Sequence, residues 1–397
     1  MKKWTKKGSA IRKRVVLILL LIASFSYAMF QGGFVSWFLF YSFLPFSIYA
    51  FAIMFYPINK ITIERTFDKT ELRAGDTVKI SLVIHFPSAF PLFFLLVEDQ
   101  VRGTMTSILS FPRFQKKLEL SYSIDEIPRG EHLFQGVRVK TGDFLGLIEK
   151  EYLIELEERI LVYPTYQEIV YKPFENQYDQ GMTTSRERVQ RDTSMAVGLR
   201  EYQPGDRFSW INWKATAKRN DLITKEFEQR QSHDVYIVLD CFPTKQFEVM
   251  VSFSASIIRA ILRKGAQAGF LSASKERVTF PIRGGASQQQ ALFYHLAKIN
   301  AQSTVTLDRV LNSEGFLTQQ NTTLMLVTSQ ISKELIYKCN YFLSRKCPVI
   351  LFLVKRKQEP LSVSEQSLKD SAKSVGINVV IVQDGAFHDA FSGVANQ

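Results

Sequence analysis

Apolar side chains dominate from Val15 to Tyr56, with a pause at Gln31-Gly32-Gly33, and beyond Lys60 the pattern changes twice. A spanning helix needs about 20 apolar residues. The second segment, Phe34 to Tyr56, has 23; the first, Val15 to Phe30, has 16, or 19 if the glycine pair lies in the interfacial region. The pattern predicts two helices in a tight hairpin. A cleaved signal peptide is the rival, since Ala23-Ser24-Phe25-Ser26-Tyr27-Ala28 mimics a cleavage region, but a second long apolar segment follows at once.

Past Lys60 the period is two. Ile61, Ile63 and Arg65 alternate with Thr62, Glu64 and Thr66, and after a turn over Glu71 to Asp76 the residues Val78, Ile80, Leu82 and Ile84 share one face. Further runs at Leu92 to Asp99, Lys116 to Ile124, Leu133 to Lys140 and Ile160 to Tyr163 predict short strands. Strands parted by Gly, Pro and Asp turns, without helical period between them, predict an immunoglobulin-like β-sandwich over 60–165.

From Val235 the rhythm becomes strand, helix, strand. Val235 to Asp240 is a near-continuous apolar run, the mark of a strand buried on both faces of a parallel sheet. A helix over Lys245 to Lys264 follows, then strands at Gly269 to Ala273, Val278 to Ile282, Thr323 to Thr328, Val349 to Val354 and Asn378 to Val382. Helices are expected at Ser287 to Ile299, Lys333 to Ser344 and Ser362 to Ser374. This alternation predicts a doubly wound α/β domain. A ligand of such a sheet sits beyond the carboxyl ends of its strands, here Asp240, Ser272 and Thr328.

Charge fixes the expected orientation. Seven cations and no acid lie in the first 14 residues, and positive flanks stay cytoplasmic. Two crossings then leave the amino terminus and everything after Lys60 in the cytoplasm; a single crossing would export the larger part. Seven of the +12 formal charges belong to residues 1–59, leaving +5 for the other 338, so the basicity is mostly topogenic. No basic face interleaved with aromatics points to nucleic acid. Cys241, Cys339 and Cys347 are an odd, scattered set, expected to be reduced and buried. Residues 171–197 form a polar segment, and 166–197 reads as a linker between the sandwich and a region 198–390.

The most specific stretch follows that linker: Arg200, Tyr202, Pro204-Gly205-Asp206, Trp210, Trp213-Lys214, Ala217, then Lys225 to Glu228. Pro204-Gly205 suits the two central positions of a type II turn. Trp210, Trp213 and Ala217 recur at helical spacing, so they are expected to pack one face of a short helix against the sheet, with Arg200 and Asp206 satisfying one another as a clasp. The alternative is a docking surface for a partner.

This stretch resembles the hallmark of the uncharacterised bacterial family numbered fifty-eight among domains of unknown function. That hallmark is an arginine, an aromatic, Pro-Gly-Asp, Trp-Lys and an alanine, then a strand ending acid-aromatic-Glu and an aliphatic strand ending in Asp. Arg200, Tyr202, Pro204, Gly205, Asp206, Trp213, Lys214, Ala217, Lys225, Glu226, Phe227, Glu228 and Asp240 fit it in order, apart from the basic Lys225 at a position where the family pattern has an acid. Arg129-Gly130 and Asp143 to Leu147 are similar to its upstream signals, with Phe144 in place of a proline. The resemblance implies a carboxyl domain like the von Willebrand factor type A fold, and partnership with a MoxR-type AAA+ ATPase and other membrane proteins. Type A domains often hold Mg²⁺ through Asp-x-Ser-x-Ser, a later Thr and a later Asp. Here Phe242 replaces the first hydroxyl and no carboxylate follows Thr328, leaving a degenerate remnant of Asp240, Thr244 and Thr328 or Ser329; Mg²⁺ is not expected.

No other constellation signals catalysis. The five histidines show no ligand spacing, and no glycine-rich phosphate loop precedes a Lys-Ser or Lys-Thr pair. Ser272-Ala273-Ser274-Lys275 matches a Ser-x-x-Lys motif, but its order against Lys140-Thr141-Gly142 is reversed. The reading is a membrane-anchored, non-enzymatic adaptor without cofactor. The alternative is a hydrolase or Mg²⁺-dependent ligand-binding domain using Asp240 and Asp206.

Overall fold

The computed structural model describes residues 2–101, 104–171, 196–203, 206, 208–219, 221–227, 234–312, 322–357 and 359–391. They form two compact units, Met1–Tyr163 and Pro164–Gln397.

The first unit opens with α1 (Lys2–Gln31) and α2 (Phe34–Phe55), joined at Gly32, whose φ of 64° suits the turn. Among the described residues, α2 is the one helix long and apolar enough to cross a membrane, and the apolar part of α1, Val15–Gln31, is shorter. The buried hydroxyls of Ser36 and Ser47 in α2 donate to Gly33 O and Phe43 O, so neither is left unsatisfied.

Two sheets follow. One is antiparallel, in the order β1 (Thr62–Phe67), β3 (Val78–His85), β6 (Lys117–Ile124). The other runs β2 (Leu72–Arg73), β8 (Glu149–Tyr163), β7 (Gly130–Gly142), β4 (Leu95–Val101), β5 (Thr104–Ser110). Val78, Ile80, Leu82 and Ile84 are fully buried, as their period of two requires, and share one core with Val97, Phe134, Val137 and Val139 of the second sheet. That core continues into Leu17, Ala50 and Ile53, so the helix pair and the sandwich are one packed body. Several features differ from the sequence expectation, among them β2, which occupies Leu72–Arg73 inside the expected turn over Glu71 to Asp76. Strand β5 lies outside the expected runs, and β8 begins at Glu149 rather than Ile160: Ile154 and Leu156 alternate with exposed Glu155 and Glu157, but the inward position 158 holds an acid, which bonds Arg65 and interrupts the apolar period.

The second unit is built on a six-stranded sheet in the order β13-β12-β11-β14-β15-β16. The strands are β11 (Asp234–Asp240), β12 (Ala268–Ala273), β13 (Val278–Arg283), β14 (Thr322–Thr328), β15 (Val349–Lys355) and β16 (Asn378–Gln383). All neighbours pair parallel except the edge strand β13. Every residue of β15 and all but the first of β11 are buried, the consequence of cover on both faces.

On one face α4 (Phe247–Arg263) sets Phe253 against Phe352 and Phe387, ring centroids 5.1 and 5.2 Å apart, and α5 (Ala286–Lys298) packs beside it. On the other, α6 (Leu307–Asn312), α7 (Lys333–Ser344) and α8 (Val363–Ser374) bury Leu311, Phe342 and Ala372 against Val238, Leu326 and Leu351. Helix α8 starts in a reciprocal capping box between Ser362 and Glu365. Cys241, Cys339 and Cys347 are buried free thiols.

The boundary of the linker is corrected at its start. Residues 166–171 pack on α4 instead: Gln167 N–H donates to Ser256 Oγ, Glu168 accepts from Arg259 and Arg263, and Tyr171 O accepts from Lys264. Of the rest of the expected linker, residues 172–195 lie outside the described residues, and Ala196 and Val197 open a strand.

Candidate functional site

Two groups of sequence-predicted residues fall in the second unit. The first is the hallmark stretch, a two-stranded sheet of β9 (Ala196–Glu201) and β10 (Ile223–Phe227), bridged by a 3-10 turn at Phe208–Trp210 and α3 (Trp213–Arg219). Arg200 Nη2 donates to Asp206 Oδ1 at 2.7 Å, while Asp206 Oδ2 accepts from Gln203 N–H at 3.0 Å and Thr224 Oγ1 at 3.4 Å. Arg200, ahead of the backbone donor at Gln203, holds the Asp206 carboxyl below its ordinary range. The pair is therefore a clasp closing the β9 end onto the start of the 3-10 turn. Asn212 caps the following helix, its Oδ1 accepting from Ala215 N–H, and Thr216 Oγ1 accepts from Ile223 N–H.

The expected packing of the aromatic stripe is overturned. No residue of α3 is buried, and Trp213 is 65% exposed. Phe208, stacked with Tyr202, is 75% exposed, and Leu199 and Leu222 are exposed too. A seven-residue helix on a two-stranded sheet has too little surface beneath it to bury an indole, so helical spacing here gives an outward face. Lys214 is exposed on the same helix. Pro204 and Gly205 lie outside the described residues, and their turn with them.

The second group is at the carboxyl edge of the six-stranded sheet. From β11 the chain winds outward through β12 to β13, then returns to β14 on the other side of β11, so β11 and β14 flank the point where winding reverses. Their parallel register, Leu239 beside Val327, carries Asp240 next to Thr328, and Thr328 Oγ1 donates to Asp240 Oδ2 at 2.8 Å. Phe242 N–H donates to Oδ1 at 3.0 Å. Asp240 is buried, and desolvation raises its pKa above the ordinary 3.8, with Asp308 adding to the rise. Thr244 Oγ1 and Ser329 Oγ are buried without a hydrogen-bond partner among the described residues.

These residues do not fit Mg²⁺. A hard cation wants about six oxygens with carboxylates among them, whereas no described group of three or more His, Cys, Asp or Glu is placed to hold a metal. The Thr328 hydroxyl is already donated to Asp240. Ser272, expected at the same edge, is one position short: it pairs with Leu239, and its hydroxyl meets His295 Nε2 of α5 at 3.0 Å. Burial lowers the His295 pKa. Spacing could not have found this pair, because its members are joined only across a strand and a helix. Ser272 is fully buried and Lys275 of the Ser-x-x-Lys match is exposed, so the match is not a site.

A pH effect follows. A native pKa raised above the unfolded value means that the contribution of Asp240 to stability is full below about pH 4 and is lost as pH rises through its folded pKa. Asp240→Asn should therefore flatten the decline in stability above pH 4, read as melting temperature of the full chain against pH; an unchanged profile would show that Asp240 is not the titrating group.

An amino-terminal helix long and apolar enough to cross a membrane, packed on a β-sandwich, and a mostly parallel α/β unit carrying an aromatic-rich Arg–Asp clasp, define a multidomain protein. Residues 198–396 match the family described as "Protein of unknown function DUF58", and the chain belongs to that family. It is 37% identical to "Uncharacterized protein YeaD" of Bacillus subtilis (strain 168), an alignment covering 94% of this chain and 96% of that one. Among solved structures it is similar to the CARDB domain of the PF1109 protein from Pyrococcus furiosus, at 10% identity and a TM-score of 0.21, over 26% of this chain and 92% of that one. It is also similar to Spo0M, a sporulation control protein of Bacillus subtilis, at 11% identity and a TM-score of 0.15, over 26% and 49%. Likenesses that slight add nothing to the fold described above.

Proposed function

We propose that this protein is a membrane-anchored, non-enzymatic adaptor whose hallmark module, β9, β10 and α3, docks a cytoplasmic partner. One observation carries the reading. The family hallmark holds a locally satisfied clasp, Arg200 with Asp206, while Trp213, Phe208, Leu199 and Leu222 of the same module are each exposed. Exposed aromatics on a rigidified scaffold are the composition of an interface hot spot.

The partner is a MoxR-type AAA+ ATPase, which is what the family resemblance implies. The basic amino terminus supports a two-crossing hairpin, with α1 as the shorter span, and hence a cytoplasmic second unit. The sheet order with its antiparallel edge strand β13 supports a von Willebrand factor type A-like domain. Hydrolysis by Asp206 and Asp240 finds less support, since each carboxylate is already engaged by partners from its own surroundings.

The test is co-purification of an AAA+ ATPase with the detergent-solubilised full chain, with and without ATP and Mg²⁺. Trp213→Ala should weaken that capture about thirty-fold, the effect of removing an anchor worth ~2 kcal/mol, and leave the melting temperature unchanged. Capture indifferent to Trp213 and Phe208, or no ATPase at all, would sink the proposal.

A further inference from the structure

The sandwich end that adjoins the helices is apolar where a soluble domain would be polar. Strand register gathers three connections there: Leu95 pairs with Ser110 and Leu96 with Lys140, so the segments 86–94, 111–116 and 143–148 leave the sheets at the same end. Their tips carry Phe93, Phe111, Phe114, Phe144 and Leu145, all exposed, Phe144 at 59% and Phe111 at 56%. The rings form a chain that starts on the membrane-type helix: Phe46 to Phe144 is 5.9 Å, Phe144 to Phe93 4.9 Å and Phe93 to Phe111 6.3 Å between centroids. Tyr49 of α2 fixes the arrangement, its hydroxyl donating to Pro91 O and accepting from Phe93 N–H, both at 2.9 Å.

Helix length turns this contact into a depth. Phe46 stands nine residues before the end of α2, about 14 Å along its axis at 1.5 Å per residue. The part of α2 clear of the sandwich, Phe34 to Pro45, is then only about 18 Å long, whereas the hydrocarbon layer is ~30 Å thick. A helix that spans must therefore carry the loops beside it into the leaflet. Below the tips the chemistry turns polar: Lys13 of α1 bonds Glu149 and Gly146 O, and Lys150 bonds Tyr56 O. Exposed Arg113, Lys116 and Lys117 stand beside Phe111 and Phe114, suited to anionic headgroups.

We infer that the helix-proximal tip of the β-sandwich, Phe93, Phe111, Phe114, Phe144 and Leu145, is a lipid-inserted wedge seated in the leaflet from which α2 emerges. The inference rests on the reading of α2 as a spanning helix. Insertion removes exposed aromatic surface from water and fixes the sandwich upright on the membrane, so that it cannot swivel about residues 56–61.

The experiment uses the full chain in vesicles of phosphatidylcholine and phosphatidylglycerol, with native or acyl-brominated tails. Single cysteines replacing Phe144, Phe111, Leu39 or Glu276 are labelled with nitrobenzoxadiazole; the native thiols are buried and stay unreacted in the folded protein. Labels at 144 and 111 should dim several-fold in brominated vesicles, as the label at 39 in mid-helix does, while that at 276 on the second unit stays bright. If 39 dims and 144 and 111 do not, the wedge is refuted and the spanning helix survives. If none dims, α2 does not span, and the wedge falls with it.

Discussion

Arg65→Ala should destabilise the first unit by about 3–5 kcal/mol, because it leaves a buried carboxylate without its counterion. Arg65 and Asp99 have side chains only 0% and 1% exposed and meet through two bonds, Nε to Oδ2 at 3.1 Å and Nη2 to Oδ1 at 2.6 Å. The remaining capacity is used as well: Tyr122 OH donates to Asp99, Arg65 Nη1 donates to Leu156 O and Glu158, and the guanidinium lies 4.8 Å from the Phe134 ring centre. Burial, reinforced by Asp99, pushes the Tyr122 phenol up, so that it stays a donor at any ordinary pH. Asp99→Ala should cost a similar amount, and the double replacement by Met and Leu much less than the two together, since an apolar pair of similar volume avoids desolvation. Thermal unfolding of the detergent-solubilised chain reads all three. Additive losses would show that the residues do not act as a pair.

The second large effect is expected at Gly269. A Cβ there would lie 2.5 and 2.6 Å from ring carbons of Tyr236 and 2.8 Å from Ile282 Cγ1. The ring cannot swing aside cheaply. Tyr236 is buried in the central strand β11, and its hydroxyl donates to Phe270 O at 3.3 Å. Gly269→Ala should therefore cost about 1–3 kcal/mol by overpacking. Urea titration should show a lower midpoint, and Tyr236→Phe, which keeps the ring, should not rescue it. Relief by a smaller side chain at 236 would confirm the clash; no loss in Gly269→Ala would mean the strands can part there.

Parts of this molecule can be read along the chain because a period is a local property. The alternation of Ile61, Ile63 and Arg65 placed an arginine on the buried face of β1, and the structure keeps it there. Its counterion is 34 residues away on the other sheet and no pattern names it, since the identity of the partner depends on which strands face one another across the core. The clasp of Arg200 with Asp206 was visible because both ends lie within one turn region, six residues apart. The exposure of Trp213 was not, because spacing marks a helix face without saying whether anything lies against it.

Read along the chain, local pattern gives the apolar amino-terminal helix, the strand-rich region after it, the alternating strands and helices that follow, and membership of a family through one compact motif. Packing in three dimensions brings Asp240 to Thr328 at the reversal of winding, turns Ser272 to His295, and links phenylalanines of three loops distant in sequence into a chain that ends on α2. Periodicity says which side of an element avoids water. Partners are chosen by strand order and register, which are settled when the whole chain packs at once.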